Sequence, residues 1–129
     1  MRKKLLLIVV LAFCWLPALS ACTTTGGSFT TNSYKTLLIA GETYNAGIQM
    51  VAHADKAGML SPSQKVQILG AGNVFYTSYQ TAQQALLQYA IMGQSNATAM
   101  QEVQMAMSAL ATDMNSFNNV LAAVKAMEK

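Results

Sequence analysis

Apolar residues follow two different patterns along this chain. Near the start they form a continuous run from Leu5 to Leu16, which Pro17 closes. From Tyr34 onward they recur at alternating spacings of three and four residues, the period of one face of an α-helix. We find no convincing alternation with the period of two that a half-buried strand requires. The sequence therefore predicts an all-α protein that follows a short apolar leader.

The first periodic segment begins at Tyr34 and ends near Gly58. Glycine accepts the left-handed conformation that often terminates a helix, so Gly58 is the predicted stop. The predicted buried face of this helix comprises Tyr34, Leu37, Leu38, Gly41, Tyr44, Ile48, Val51 and Ala52.

A second helix is predicted to begin at Ser61. Ser61 suits the capping position, Pro62 the first helical position, and Gln64 completes a capping box. Glycines at 70 and 72 each cost a helix interior about 1 kcal/mol relative to alanine. We therefore expect a kink or break near Gly70, or a close crossing with the first helix. The predicted buried face comprises Ile68, Gly72, Phe75, Tyr79, Ala82, Leu86 and Tyr89.

The third helix has the clearest pattern. Gly93 interrupts the periodicity, and Ser95 or Asn96 is expected to cap the new helix. Short connections between long amphipathic helices imply antiparallel neighbours. We predict an elongated antiparallel three-helix bundle over residues 34–129. The buried face of its third helix comprises Met100, Val103, Met107, Leu110, Met114, Phe117, Leu121 and Val124.

The leader has the layout of an export signal, with basic residues at 2–4, a short apolar run and small residues before a cut. Its apolar run is shorter than the roughly twenty residues that a helix needs to cross a bilayer. It ends in Leu19-Ser20-Ala21-Cys22, which resembles the lipobox of bacterial lipoproteins. The resemblance implies that residues 1–21 are removed by cleavage between Ala21 and Cys22. It also implies that Cys22 receives a diacylglyceryl group on sulfur and an acyl chain such as palmitate on its new amine.

Two other fates of the leader compete with lipidation. Ala18-Leu19-Ser20 also fits an ordinary secretory cut, which would release a soluble protein with a free Cys22. Alternatively, the leader would stay on as an imperfect anchor. Lipidation is favoured because the hydrophobic, small, small, cysteine order falls at the usual distance from the N-terminus.

The residue after the cysteine bears on localisation. In Gram-negative lipoproteins an aspartate there tends to retain the protein in the inner membrane, whereas this chain has Thr23. The resemblance therefore implies the periplasmic face of the outer membrane. In a host with one membrane it implies the outer face of that membrane.

Residues 22–33 are small, polar and glycine-containing, and they predict a flexible tether between the lipidated Cys22 and the bundle. The formal net charge of +3 comes from residues 2–4 of the leader. Once these are removed, five lysines balance five carboxylates. A nucleic-acid binder needs clustered cations, which this chain lacks, so nucleic acid is excluded as a partner.

Candidate chemistry is sparse. His53 is the single histidine, and its spacing from Asp55 does not bring the two side chains together on a helix. Cys22, the one cysteine left after cleavage, is assigned to lipid. We predict no catalytic residue, no metal site and no cofactor other than the covalent lipid.

Three residues are candidates for binding a partner. Tyr76 is expected to point outward from an aromatic cluster that also contains Phe75 and Tyr79. Met105 and Met127 fall off the core stripe of the third helix, and methionine-rich surfaces adapt to varied apolar partners.

The leading hypothesis is a non-enzymatic, lipid-anchored helical module that binds another envelope component. One alternative is a structural lipoprotein that self-associates through Ala106, Ala109, Val120 and Ala123. Another is a carrier of a small apolar ligand. In size, anchor and architecture the chain is similar to small helical outer-membrane lipoproteins such as secretion pilotins and phage-encoded exclusion lipoproteins, although it matches none of their motifs.

Overall fold

Three long α-helices make up nearly all of the computed structural model, which describes residues 26–93 and 95–127. Helix α1 spans Gly26–Lys56, α2 spans Pro62–Met92 and α3 spans Ala97–Met127, with 31 residues in each. Each helix is about 46 Å long at the usual rise per residue. The described ranges contain no strand, and the all-α prediction is confirmed.

Contacts at both ends of the bundle fix the helix directions. Near the start of α1, the Phe29 ring packs edge-on against Tyr89 near the end of α2, with centroids 5.3 Å apart. At the opposite end, the amide of Gln64 early in α2 lies 3.5 Å from the sulfur of Met127, the last residue of α3. Between the ends, the Ser78 hydroxyl donates to the Asp113 carboxylate. Both α1 and α3 therefore run antiparallel to α2, and the predicted three-helix bundle is confirmed.

The connection between α1 and α2 ends one helix and starts the next within a few residues. Gly58 has a φ of 70°, and the N–H groups of Gly58 and Met59 donate to carbonyls in the last turn of α1 over 3.0 Å. This pair of bonds forms a Schellman motif. Immediately beyond, the Ser61 hydroxyl accepts from the Gln64 N–H (3.3 Å), while the Gln64 side chain accepts from the Ser61 N–H (2.8 Å). Both the glycine stop and the capping box are as predicted.

The start of α3 resolves the choice between two capping residues. The Ala99 N–H donates to the side-chain oxygen of Asn96 over 3.1 Å. Asn96, and not Ser95, is therefore the residue that caps α3.

The core is formed mainly by α2 and α3. Every residue of their predicted faces is buried or half-buried, including Phe75, Tyr89, Val103 and Phe117, which have no exposed surface. Phe75 and Phe117 stack with centroids 5.6 Å apart, and Tyr44 of α1 packs on both at 5.5 and 5.7 Å. A smaller cluster of Ala54, Leu60, Ile68 and Val124 closes the end of the bundle where α1 meets α2. Met100, Met107 and Met114 pack against the main core, as expected of gap-filling side chains.

The start of α1 differs from the prediction. A tether was predicted over residues 22–33, but the helix already includes Gly26, and Ser33 is only 7% exposed. The tether prediction is wrong for residues 26–33 because a small, polar composition does not prevent a helix whose inward face packs on the core. Phe29, Ser33 and Leu37 follow each other at intervals of four, so the core stripe begins five residues before Tyr34.

The buried face of α1 is also rotated from the predicted one. Tyr34, Leu38 and Ile48 were assigned to the core but are 57%, 48% and 37% exposed. The side chains that α1 buries most fully are small, namely Ser33, Ala40 and Ala54 together with Leu37, and Gly47 is buried beside them. Small residues allow two helix backbones to approach, and they displace the larger residues to the edge of the interface.

The predicted break near Gly70 does not occur, because α2 is uninterrupted from Pro62 to Met92. A Cβ at Gly70 would meet nothing within 4 Å, whereas one at Gly72 would lie 3.5 Å from the Phe117 ring. The tightest glycine contact is made by α1 with α3, at Gly47 of α1. A Cβ there would lie 2.6 Å from Leu121 Cδ1, on α3.

Candidate functional site

The side of the bundle between α1 and α2 is less filled than the interface between α2 and α3. Large apolar side chains stand at its edges, including Leu38 of α1 and Leu69 and Leu87 of α2, which are 48%, 62% and 61% exposed. Two apolar depressions lie along this side, and we call them the wide groove and the narrow groove.

The wide groove lies between the first half of α1 and the last half of α2. Its volume is about 550 Å³. The apolar part of its lining comprises Tyr34, Leu37, Leu38, Leu86, Leu87 and Ala90. Its remaining lining residues are threonines, Tyr79 and Gln83, so no charged side chain borders it. The wide groove therefore offers an apolar surface with a few hydroxyl and amide groups.

The narrow groove continues along the same side toward the other end of the bundle. It has a volume of about 220 Å³ and includes Ile48, Ile68 and Leu69. Asp55 and Lys65 stand at its border, where the lysine nitrogen lies 2.5 Å from a carboxylate oxygen. Both side chains are nearly half exposed, so this ion pair contributes at most about 1 kcal/mol.

Two tyrosines of α2 separate the grooves. The Tyr79 hydroxyl would lie 3.1 Å from a Cβ at Gly41, so the absence of a side chain at 41 lets this ring lie against α1. Gln83 donates an amide hydrogen to the same hydroxyl over 3.1 Å. One turn away, Tyr76 and Tyr44 face each other with ring centroids 5.6 Å apart. Tyr76 and Tyr79, which separate the two grooves, are thus both in contact with α1.

The three predicted partner-binding residues do not form one surface. Tyr76 is 46% exposed and Met105 is 59% exposed, in agreement with outward display. Met127 is instead half-buried, and its sulfur contacts Gln64. Given the pairing of α2 with α3, Tyr76 is about 15 Å along the bundle axis from Met105 and about 18 Å from Met127. Of the three, only Tyr76 borders the α1–α2 side.

The face predicted for self-association is partly covered. Ala106 and Val120 of α3 are half-buried against the two core clusters, and only Ala109 and Ala123 are exposed. The larger uncovered apolar side chains belong to α1 and α2.

The residues of the predicted lipid site lie outside the described part of the chain. These are Ala21, Cys22 and the leader 1–21. Within residues 26–93 and 95–127, no three His, Cys, Asp or Glu side chains are grouped so that they could hold a metal ion. In the same ranges, no helix is both long and apolar enough to cross a membrane.

The sequence patterns did not identify the two grooves. Leu69 and Leu87 directly follow the core residues Ile68 and Leu86, and pairs of this kind indicate an apolar stripe wider than the core needs. No protein-family model matches the chain, and no curated protein or solved structure matches it. Function must therefore be inferred from the chemistry of the chain itself.

Proposed function

We propose that this chain is a lipid-anchored envelope lipoprotein that acts as a non-enzymatic binding module. In this proposal the wide groove holds an apolar segment of another envelope protein. The proposal depends on one observation, the uncharged groove of about 550 Å³ at whose edges Leu38 and Leu87 remain 48% and 61% exposed. Covering these side chains with apolar surface would remove them from water and drive association.

The lining specifies the chemistry of the partner. A charged side chain buried against Leu38, Leu86 and Leu87 would lose its hydration without gaining an ion-pair partner. The Tyr34 hydroxyl and the Gln83 amide border the groove and are suited to backbone groups. The expected partner is therefore an uncharged apolar peptide segment.

A binding role is also favoured by the scarcity of reactive groups around the groove. General acid–base catalysis requires a titratable side chain within reach of the substrate, and of the usual types only Tyr34 and Tyr79 border the wide groove, with no His, Asp, Glu or Lys beside them to exchange a proton. The Asp55–Lys65 ion pair lies beside the narrow groove, and the two charges neutralise each other.

The anchor would make a weak interface sufficient. Acylation of Cys22 would confine the protein to a membrane surface and raise its effective concentration toward partners on the same membrane. Thr23 favours the periplasmic face of the outer membrane in a Gram-negative host. In a host with one membrane, the location would be the outer face of that membrane.

A pair of photo-crosslinking variants tests the binding role in intact envelopes. A photoreactive amino acid replaces Leu38, which lines the wide groove, or Val74, which is similarly exposed (48% and 53%) but does not line it. We expect the Leu38 variant to form an adduct with one identified envelope protein, several-fold more than the Val74 variant. Adding Leu87→Glu should abolish this adduct.

Three outcomes would contradict the binding role. One is the absence of any adduct, and another is equal labelling of one protein from both positions. The third is an adduct of twice the mass of the chain, which would favour the self-associating structural lipoprotein.

A carrier of a small apolar ligand is the second candidate. The wide groove has a volume within the roughly 300–1,000 Å³ that small-molecule sites occupy. Leu87 on its rim is nevertheless 61% exposed, which suits a peptide better than an enclosed ligand. Native mass spectrometry of protein extracted from its own membrane decides this point. A co-purified lipid or fatty acid would support the carrier, and an empty protein would exclude it.

A further inference from the structure

Charged residues are unevenly distributed along the bundle. We define the anchor-side end as the start of α1, the end of α2 and the start of α3. At positions 22–34 and 86–101, which supply this end, the sequence contains no Asp, Glu, Lys, Arg or His, and the first charged residue of α3 is the exposed Glu102 in its second turn. The opposite end carries His53, Asp55, Lys56, Lys65 and Lys125.

The same end presents large apolar side chains to solvent. Leu87, Ile91 and Met92, in the last two turns of α2, are 61%, 76% and 62% exposed. Ile91 is the most exposed of the large apolar residues in the described chain. Single exposed apolar residues are ordinary, but a group of them at an end of the molecule with no cation and one carboxylate indicates a surface that contacts something apolar.

The position of α1 relative to Cys22 limits what that surface can meet. Three residues separate Cys22 from Gly26, where α1 begins, and the four Cα-to-Cα steps between them span at most about 14 Å. The predicted tether of residues 22–33 would have reached much farther, but most of it is helix. If Cys22 is acylated, as the proposed function requires, the start of α1 lies close to the lipid headgroups.

We propose that the anchor-side end of the bundle rests on the bilayer, with Ile91 and Met92 at the boundary between headgroups and acyl chains. In this orientation the long axis of the bundle stands away from the membrane, and the charged end stays in water. Because the contacting end has no cationic side chain, its contact relies on apolar burial and not on attraction to anionic lipids. The α1–α2 grooves then open sideways, toward proteins on the same membrane.

A bilayer is a better occupant of this end than a second copy of the chain. The lipid anchor brings this end to the membrane in every molecule, independently of protein concentration. A second copy would need to meet the same end while both anchors stay in the bilayer.

Two single-cysteine variants test the orientation in the mature lipidated protein. Ile91→Cys and Val66→Cys place a cysteine at outward positions of α2 that are 76% and 71% exposed and about 37 Å apart along the helix. The Cys22 sulfur is blocked by lipid, so an environment-sensitive fluorophore reacts only at the new cysteine. The labelled proteins are reconstituted into phosphatidylcholine vesicles that carry a quencher on the acyl chains.

We expect blue-shifted emission and several-fold stronger quenching at position 91 than at position 66. The difference should persist when phosphatidylglycerol is added. Equal quenching at both positions would show a bundle that lies flat, and no quenching at either would show one that stands off the bilayer. Shielding at 91 that disappears when the protein is diluted at a fixed amount of lipid would indicate a second copy. Each of these three results overturns the proposal.

The intact mass of each purified variant separates failure of the anchor from failure of the orientation. An unacylated Cys22 would overturn the proposed lipoprotein function and this inference together. An acylated protein whose label at 91 remains in water would overturn the orientation alone. Circular dichroism of both variants checks that the exposed substitutions leave the helices intact.

Discussion

The two interfaces of α2 are built differently. Toward α3, α2 makes most of its contacts, with Phe75 stacked on Phe117 and Ser78 bonded to Asp113, although a depression of about 300 Å³ remains beside Gln64 and Val120 at one end. Toward α1, the contacts are fewer, and two grooves open between the helices. The difference indicates that the α2–α3 interface contributes more to stability than the looser α1 side, which leaves apolar surface uncovered.

The composition of α1 explains its looser packing. The residues that α1 turns inward are mostly small, such as Ala40, Gly47 and Ala54. They therefore let α1 come close to its neighbours at a few positions, but they fill less of the space between helices than leucine or phenylalanine would. Its larger residues line the grooves from the α1 side, Tyr34 and Leu38 in the wide groove and Ile48 in the narrow groove. Burial of small side chains stabilises less than burial of leucine or phenylalanine, because it removes less apolar area from water.

Matched leucine truncations give the largest expected effect. Leu37 of α1 and Leu110 of α3 are 4% and 1% exposed and lie at one level of the bundle, given the pairing of Tyr44 with Phe117. Leu110→Ala is expected to reduce the free energy of unfolding toward the upper end of about 2–5 kcal/mol, and Leu37→Ala toward the lower end. Leu37 borders the wide groove, so its removal enlarges an open space and leaves no closed cavity. Urea denaturation measures both values, and equal costs would show that the two interfaces are packed alike.

Matched glycine-to-alanine substitutions are expected to change the free energy of unfolding in opposite directions. Gly47→Ala would place a Cβ 2.6 Å from Leu121 Cδ1 and 2.7 Å from Phe117 Cε1, and should reduce the free energy of unfolding by about 1–2 kcal/mol. Gly70→Ala meets nothing within 4 Å and should raise it by about 1 kcal/mol through helix propensity. Thermal or urea unfolding of the two variants measures the difference. A stabilising Gly47→Ala would mean that α1 can move away from α3 without loss.

Removing one polar contact from each interface of α2 is expected to give the smallest difference in the free energy of unfolding. Ser78→Ala removes a half-buried hydrogen bond between α2 and α3 and should cost about 1 kcal/mol, because Asp113 loses a partner. Lys65→Met removes the exposed ion pair with Asp55 between α1 and α2 and should change stability by less than about 0.5 kcal/mol. Unfolding at low and high salt measures both changes. A larger loss for Lys65→Met would contradict the view that α1 is held mainly by apolar contacts.

The candidate site was only partly predictable. The outward position of Tyr76 follows from its neighbours Phe75 and Tyr79 on a helical wheel, and the structure agrees. The groove beside it requires the position of α1, which depends on close contacts such as Gly41 against Tyr79. The spacing of apolar residues within one helix does not show which side of that helix its neighbouring helices leave uncovered. Met105 and Met127 were predicted beside Tyr76 as partner-binding residues. Their distance from Tyr76 along the bundle axis is known only once the pairing of α2 with α3 is known.

The sequence by itself determined the helical class, the stop at Gly58, the capping box at Ser61 and the buried faces of α2 and α3. Each of these depends on local backbone chemistry or on a strong three-four period within one helix. Only the tertiary structure decided which face of α1 is buried and where the grooves lie. These features depend on how closely helices approach at Gly41 and Gly47, and such distances are set by side chains far apart in the chain.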